Sequence, residues 1–494
     1  GYAQHGHCNE AWNCLKRMQR EGLSPDSVTF IGILKACGSR GAIDKGKEIH
    51  DKIWSTGLLD KDIVLGNSLV DMYAKFGMLE RAKEVLEGLP TRDEVSWNAL
   101  ITGYAQHGQF HQSLDCFRKM QHEGIYPNVI TFVCLLNACG SIGAIDEGKQ
   151  IHVDILSRGL LEKHIVLGNA LVDMYAQCHM LAKAQQVLEE IPLRDVASWN
   201  ALIAAYAQQG QCHEAFKCIQ QMQSEDISPD AITFICIMKA CGRAQAIEKG
   251  KQVHENVVST GLLEHNIVLG NALVDMYAKC GAFEKSQKVL DELLVRNVVS
   301  WNALIAGFVQ WGQCHDALKC FEQMENEGLS PVPVTYICVL KACGSISAID
   351  KGKQIHEEIV NKGLLENFPT LGNAVMDMYA KCGEFTKAEE VLKELVVQDT
   401  ISWNTLIAGY ADQGRCHEAM HCFEEMQNCG ISPDAITFIS IAKVCGSLGS
   451  IEKGKQIHNE IVSRGLLEQD IVLGIALVDM YAKCGVLVKA WNVL

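Results

Sequence analysis

The sequence has no apolar run near the ~20 residues that a membrane-spanning helix needs, so none of it reads as a membrane segment. It has no Cys-x-x-Cys pair despite 22 cysteines, which removes the ligand spacing that metal and dithiol sites use. Proline is scarce, at nine in 494 residues, as a mostly helical chain requires. Linkers and low-complexity tracts are absent, so no stretch argues for disorder. Positive charge is short too: 44 Lys and Arg against 59 Asp and Glu give a net charge of −15. That excludes holding nucleic acid by bulk charge alone, and leaves room for a local basic stripe with base-reading side chains. An initiator methionine is missing, and Gly1-Tyr2-Ala3-Gln4 matches Gly103-Tyr104-Ala105-Gln106. The chain therefore reads as a fragment, with any targeting peptide or C-terminal domain outside it.

What the sequence has is a period. Ser-Trp-Asn recurs around Trp97, Trp199, Trp301 and Trp403, 102 residues apart each time. The cysteines follow the same step, as Cys37, Cys139, Cys241, Cys343 and Cys445 show. So do Cys178, Cys280, Cys382 and Cys484, and Cys14, Cys116, Cys218, Cys320 and Cys422. Cysteines placed by a repeat read as small buried residues of helix interfaces in a reducing compartment. A hydrophobic content of 48% with 21% charged residues fits a folded array, which grows without adding separate cores.

Each period holds three related pieces of 35, 36 and 31 residues. In the piece starting at Val196, Trp199, Leu202, Ile203 and Tyr206 fall at i, i+3, i+4 and i+7, one apolar helix stripe. Gln209-Gly210-Gln211 breaks it, and Ala215, Cys218, Ile219 and Met222 repeat the spacing on a second helix. Ile227-Ser228-Pro229-Asp230 ends the piece, because proline disfavours helix in the residue before it. A lone hairpin cannot bury both stripes. Stacking on neighbours can, which predicts an all-α superhelix of hairpins, of either hand.

Hairpins of 35, 36 and 31 residues in strict rotation resemble the P, L and S motifs of the pentatricopeptide repeat family, PLS class. The resemblance covers all 494 residues and implies a right-handed superhelical α-solenoid of stacked helix-turn-helix repeats. Its register gives a partial P motif over 1–26, then L 27–62, S 63–93, P 94–128, L 129–164, S 165–195, P 196–230, L 231–266 and S 267–297. P 298–332, L 333–368, S 369–399, P 400–434, L 435–470 and a partial S over 471–494 follow. The array is one continuous domain, with no deaminase-like domain in it.

The family reads single-stranded RNA one base per repeat, and the resemblance implies that the fifth and last residues of a motif choose the base. The P motifs offer Asn98 with Asn128, Asn200 with Asp230, Asn302 with Val332 and Asn404 with Asp434. The S motifs offer Asn67 with Asp93, Asn169 with Asp195, Asn271 with Asn297 and Asn373 with Asp399. An Asp carboxylate can accept the N3–H of uracil, and an Asn amide can donate to the bare N3 of cytosine. Asn/Asp pairs are thus expected to prefer U, and Asn/Asn pairs to prefer C or tolerate both pyrimidines. From the first S motif the expected RNA is U-C-n-U-U-n-C-y-n-U-U-n. The alternative is plain structure, with Asn capping helix starts and Asp ending turns.

The family pattern also places an apolar side chain beside the base, here Val64, Val95, Val166, Val268, Val299 and Ile401, with ordinary core packing as the alternative. Lys75, Lys279, Lys381 and Lys483 are candidate phosphate contacts or solvated helix lysines. In the L motifs Ile31, Val133, Ile235, Ile337 and Ile439 stand at the fifth position. They cannot hydrogen-bond a base edge, so these motifs are expected to act as weakly selective spacers. Val332, and Ile475 in place of Asn, leave base choice open.

Two enzyme patterns are weaker than they look. His417-Glu418-Ala419-Met420-His421 fits H-E-x-x-H, but its second His is missing from the matching windows at His213 and His315. His356-Glu357-Glu358 and His458-Asn459-Glu460 fit half of a zinc deaminase, and no Cys-x-x-Cys completes it. His50, His152, His254, His356 and His458 are one repeat position, of packing or surface type. No cofactor or metal is expected, and no catalysis within the array. The resemblance implies a binder of pyrimidine-rich, single-stranded organellar RNA in mitochondrion or chloroplast. Its implied role is the specificity part of a plant C-to-U RNA-editing factor, with editing-complex proteins as partners. An RNA stabilisation or splicing factor and a tetratricopeptide-type protein scaffold are the alternatives, the latter disfavoured because its period is a uniform ~34 residues.

Overall fold

A computed structural model describes residues 8–40, 42–59, 61–263, 266–395, 397–467 and 470–493. Among them are 29 helices and no strand. The chain divides into two compact units, 1–240 and 241–494, and each is a solenoid of stacked helix hairpins.

One period of the first unit shows the construction. Helices Glu94–Gln106 and Phe110–His122 form the tryptophan hairpin. Val129–Ile142 and Ile145–Ser157 form the next, bearing Ala-Cys-Gly. Ile165–Gln177 and Leu181–Glu190 form the third, bearing Leu-Gly-Asn. The third hairpin has a shorter second helix of 10 residues, which accounts for its shorter sequence. Gly108 and Gly143 turn the chain between paired helices at φ values of 72° and 70°, a conformation that costs glycine little.

The predicted stripe is the core. Trp199, Leu202, Ile203 and Tyr206 are buried, as are Ala215, Cys218 and Met222 of the second helix, while Ile219 is half-buried. Within each unit first helices pack on one another in a row, as Glu94–Gln106 does on Val129–Ile142, and second helices pack on their own first helix, as Phe110–His122 does on Glu94–Gln106. Every cysteine among the described residues is a free thiol. Cys37, Cys139, Cys241, Cys343 and Cys445 are fully buried, whereas Cys178, Cys280, Cys382 and Cys484 are half-exposed and Cys14 is exposed. Burial pushes the Cys139 and Cys218 thiols up to about 12, so they behave as small core residues rather than nucleophiles.

The repeated histidines are packing residues and not surface ones. His50, His152, His254, His356 and His458 reach across to Tyr73, Tyr175, Tyr277, Tyr379 and Tyr481, with Nδ1 to hydroxyl distances of 2.8–3.0 Å. Each tyrosine sits on the first helix of the following Leu-Gly hairpin. His417 and His421 are exposed, and no group of metal-ligating residues assembles among the described residues.

Candidate functional site

The paired Asn and Asp positions come from two neighbouring hairpins, and the fold makes them meet. The first member lies fifth in a first helix, as Asn67 does in Ile63–Lys75. The second member is the N-cap of the next first helix: Asp93, Asp195, Asn297 and Asp399 cap the tryptophan helices, and Asn128 and Asp434 cap the helices after them. The cap reading therefore holds for the second member and fails for the first, which is already inside its helix.

Three polar contacts converge on one oxygen of the cap. Asp93 Oδ1 accepts the Ser96 backbone N–H at 2.8 Å and the Asn67 amide at 3.0 Å, and the Ser96 hydroxyl oxygen lies 2.8 Å away. Asp230 Oδ1 accepts the Thr233 N–H at 2.8 Å and the Asn200 amide at 3.1 Å, and the Thr233 hydroxyl oxygen lies 2.9 Å away. At Asp434 the same three distances, from Thr437 and Asn404, are each 2.9 Å. Burial would raise these carboxyls, but the bonds from the next helix start and from the Asn amide outweigh it. Asp93, Asp230 and Asp434 consequently sit below the usual 3.8 and are ionised at neutral pH. All of these bonds fall on Oδ1, which leaves Oδ2 to act as an acceptor.

The Asn/Asn pair has the same frame with a different remainder. Asn297 Oδ1 accepts from Ser300 N–H at 3.0 Å and from Asn271 at 3.3 Å, so its amide nitrogen is what stays over. Asn128 Oδ1 accepts from Thr131 N–H at 3.1 Å, and its amide donates to Glu94 at 3.4 Å. No bond joins Asn98 to Asn128; Thr131 links them by donating to Asn98 Oδ1. Asn169 reaches Asp195 only at 3.5 Å. The structure brings no such bond to Asn373 with Asp399 or to Asn302 with Val332, and Asn169, Asn302 and Asn373 each keep a buried Oδ1 without a partner. Val332 has no polar side chain to offer; its backbone N–H donates to the Thr335 hydroxyl at 3.1 Å.

The apolar candidates are not core. Val64, Val95, Val166, Val268, Val299 and Ile401 are 52–60% exposed. Val28, Ile130, Ile232, Val334 and Ile436 occupy the matching place in the Ala-Cys-Gly hairpins and are exposed too, a set the sequence reading did not single out. The fifth residues there, Ile31, Val133, Ile235, Ile337 and Ile439, are half-buried. Lys75, Lys279, Lys381 and Lys483 are ion-paired at 2.6–2.7 Å with Asp71, Asp275, Asp377 and Asp479 one turn earlier, so their charge is largely answered within the helix. In the second period Gln177 replaces that lysine.

Asn200, Asp195, Asp230, Asp173 and Ile232 line one groove of about 570 Å³. Desolvation raises the Asp173 carboxyl above the usual 3.8, although the side chain still reaches water. A hollow of about 630 Å³ beside His50, Trp54 and Arg81 holds none of the predicted site residues. The residues missed from sequence are the hydroxyls Ser96, Thr131, Thr233, Ser300 and Thr437, all fully buried against the first-member Asn. Their signal was the Ser of Ser-Trp-Asn and the Thr of Ile-Thr-Phe, recurring as faithfully as the Asn.

The groove can offer a base edge one amide donor and, beside it, a carboxylate or a second amide. Known proteins share this architecture. The PPR repeat family matches residues 1–39, 92–141, 194–243, 296–345 and 398–447, and the PPR repeat matches 67–93, 271–298 and 373–399. A pentatricopeptide repeat-containing protein of Arabidopsis thaliana is 30% identical, with 100% of this chain and 71% of the relative covered. A chloroplastic one from the same plant is 32% identical, covering 100% of this chain and 60% of the relative. A mitochondrial one is 33% identical, covering 98% and 47%. The chain thus spans about half to seven-tenths of these relatives' lengths. Among solved structures, maize PPR10 superposes with a TM-score of 0.62 at 22% identity, covering 99% of this chain and 76% of that one. PPR10 in complex with an 18-nt psaJ RNA element gives 0.57 at 17% identity, covering 100% and 77%. At such identities the likeness speaks for the fold, and the sequence relatives carry the rest: the chain belongs to the pentatricopeptide repeat family.

Proposed function

We propose that the chain binds single-stranded RNA and reads pyrimidines through its Asn/Asp and Asn/Asn pairs. The observation that carries this is the division of labour at the cap. One oxygen is spent on the fold, and the spare atom differs with the residue: carboxylate Oδ2 in Asp, amide Nδ2 in Asn. A spare acceptor suits the N3–H of uracil, and a spare donor suits the bare N3 of cytosine. The exposed Val and Ile beside each reader suit an apolar flank for a flat base. The likeness to a chain solved with RNA supports the same reading.

The register of 35, 36 and 31 residues supports the finer proposal that this is a PLS-class array. On that proposal it is the specificity part of a C-to-U editing factor, working in chloroplast or mitochondrion as relatives' names suggest. A gel-shift with U-C-n-U-U-n-C-y-n-U-U-n against a scrambled RNA tests the binding. Equal binding of both would sink it, and no binding of either would favour a protein scaffold. Asn128→Asp tests the code: preference at its nucleotide should move from C toward U, and an unchanged preference removes the assignment. Editing is tested by transcript sequencing in plants lacking the gene, where one unconverted cytosine is expected.

A further inference from the structure

The buried hydroxyls divide the readers into two kinds. Ser96, Thr233, Ser300 and Thr437 each lie 2.6 Å from the Oδ1 of Asn67, Asn200, Asn271 and Asn404. Two oxygens at that distance need a hydrogen between them. The hydroxyl already accepts its neighbour's backbone N–H, as from Asp230 at 3.1 Å, and of its two acceptors the Asn Oδ1 at 2.6 Å is nearer than the cap Oδ1 at 2.8–3.1 Å, so its own hydrogen goes to the Asn. The reverse amide orientation would set the Asn oxygen against the cap's Oδ1, two acceptors facing each other. The hydroxyl and cap together fix the amide, with oxygen inward and one N–H toward the cap. The second N–H is left for a base.

In these four sites the Asn is 7–8% exposed and the pair is closed, its amide standing 2.9–3.3 Å from the cap. Asn98, bonded by the Thr131 hydroxyl and equally buried, has no bond to Asn128. At Asn169 and Asn373 the hydroxyls of Ser198 and Ser402 turn to the cap alone, at 2.9 and 2.8 Å. There the Asn is half-buried, its Oδ1 unpartnered, and the pair is stretched to 3.5 Å or open.

We infer that the buried Ser or Thr at the start of the following helix is a positioning residue that sets how sharply each Asn discriminates bases. The inference rests on the base-reading proposal above. It makes Asn67/Asp93, Asn200/Asp230 and Asn404/Asp434 sharp readers. Asn169/Asp195 and Asn373/Asp399, the same residue pair by sequence, become soft ones.

The test needs first only the wild-type chain and the expected RNA with A at the n positions and U at y. U→C changes are made one at a time. Each should weaken binding roughly threefold to tenfold more at the three sharp sites than at the two soft ones, the range one neutral hydrogen bond spans. Equal penalties at all five sites would overturn the inference. No penalty at any of them would overturn base reading itself, a separate failure. Thr233→Val then keeps the backbone N–H and shape but removes the hydroxyl. It should lower the U-over-C ratio at the Asn200 nucleotide alone, with Thr233→Ser restoring it. A Val variant that weakens every RNA equally, at an unchanged ratio, shows a structural role only and also overturns the inference.

Discussion

Trp403 carries a buried indole N–H with no partner. In the other periods that N–H is answered: Trp97, Trp199 and Trp301 donate to Glu123, Glu225 and Glu327 at 2.9–3.3 Å. Arg92, Arg194 and Arg296 hold those carboxylates at 2.6–2.8 Å. The fourth copy has Cys429 and Gln398 instead. An unanswered buried donor costs about 1–3 kcal/mol. Cys429→Glu with Gln398→Arg should recover most of it, read as slower amide exchange across Thr400–Asp412; Cys429→Ala should recover none. Titration acts at this scale too. Burial is the main reason His50, His152, His254, His356 and His458 lie below the usual 6.5. Their folded-state contribution is complete above 6.5 and is lost as pH falls through the lowered values, because the unfolded chain takes protons first. Asp93, Asp195, Asp230 and Asp434 act only below 3.8, so the two windows separate. Denaturant midpoints should fall between about pH 7.5 and about pH 5.5, less so in His254→Gln. A flat profile would remove the histidines from the stability of the fold.

In the Leu-Gly hairpins the helices approach through the glycine that precedes each reader, Gly66, Gly168, Gly270 and Gly372. A Cβ on Gly168 would lie 2.5 Å from Ile191 Cδ1 and 2.7 Å from its Cγ1. Gly168 directly precedes Asn169, and Ile191 ends the partner helix four residues before Asp195. The closeness of the hairpin and the spacing of the reading pair thus share one contact. Gly168→Val should cost ~1–3 kcal/mol by overpacking, and Ile191→Ala in the same chain should return part of it. A double-mutant cycle on denaturant midpoints measures that coupling, and simple additivity would show the contact to be slack. The hairpins were legible in the sequence because Trp199, Leu202, Ile203 and Tyr206 mark a stripe that only a helix can present. Pairing of Asn200 with Asp230 was legible through the family resemblance. The hydroxyl of Thr233 was not, since Thr in a first turn reads as an ordinary capping partner, and its reach to Asn200 depends on the neighbouring hairpin. Nor was the stretch at Asn169, whose residues match those of the closed sites.

A chain with a net charge of −15 cannot gain RNA by general attraction, so whatever phosphate contact it makes must be local. The lysines placed for it are each bonded to an aspartate of their own helix, as Lys279 is to Asp275 at 2.6 Å. Both partners stay partly exposed, and such a pair adds little stability, so it can be broken without unfolding the helix. Asp275→Asn frees the ammonium and removes a negative charge beside the row of readers. If Lys279 meets a phosphate, affinity should rise by one factor for every RNA tested, matched or scrambled. The slope of log K against log salt should steepen by about 0.7, the share of one phosphate on a single strand. Lys279→Gln should do the reverse. Base preference at the Asn271 nucleotide should stay the same in both variants, because phosphate contacts position the strand and base contacts specify it. Unchanged affinity and slope in Asp275→Asn would leave Lys279 as a helix-surface ion pair, and the array would hold RNA by its bases alone.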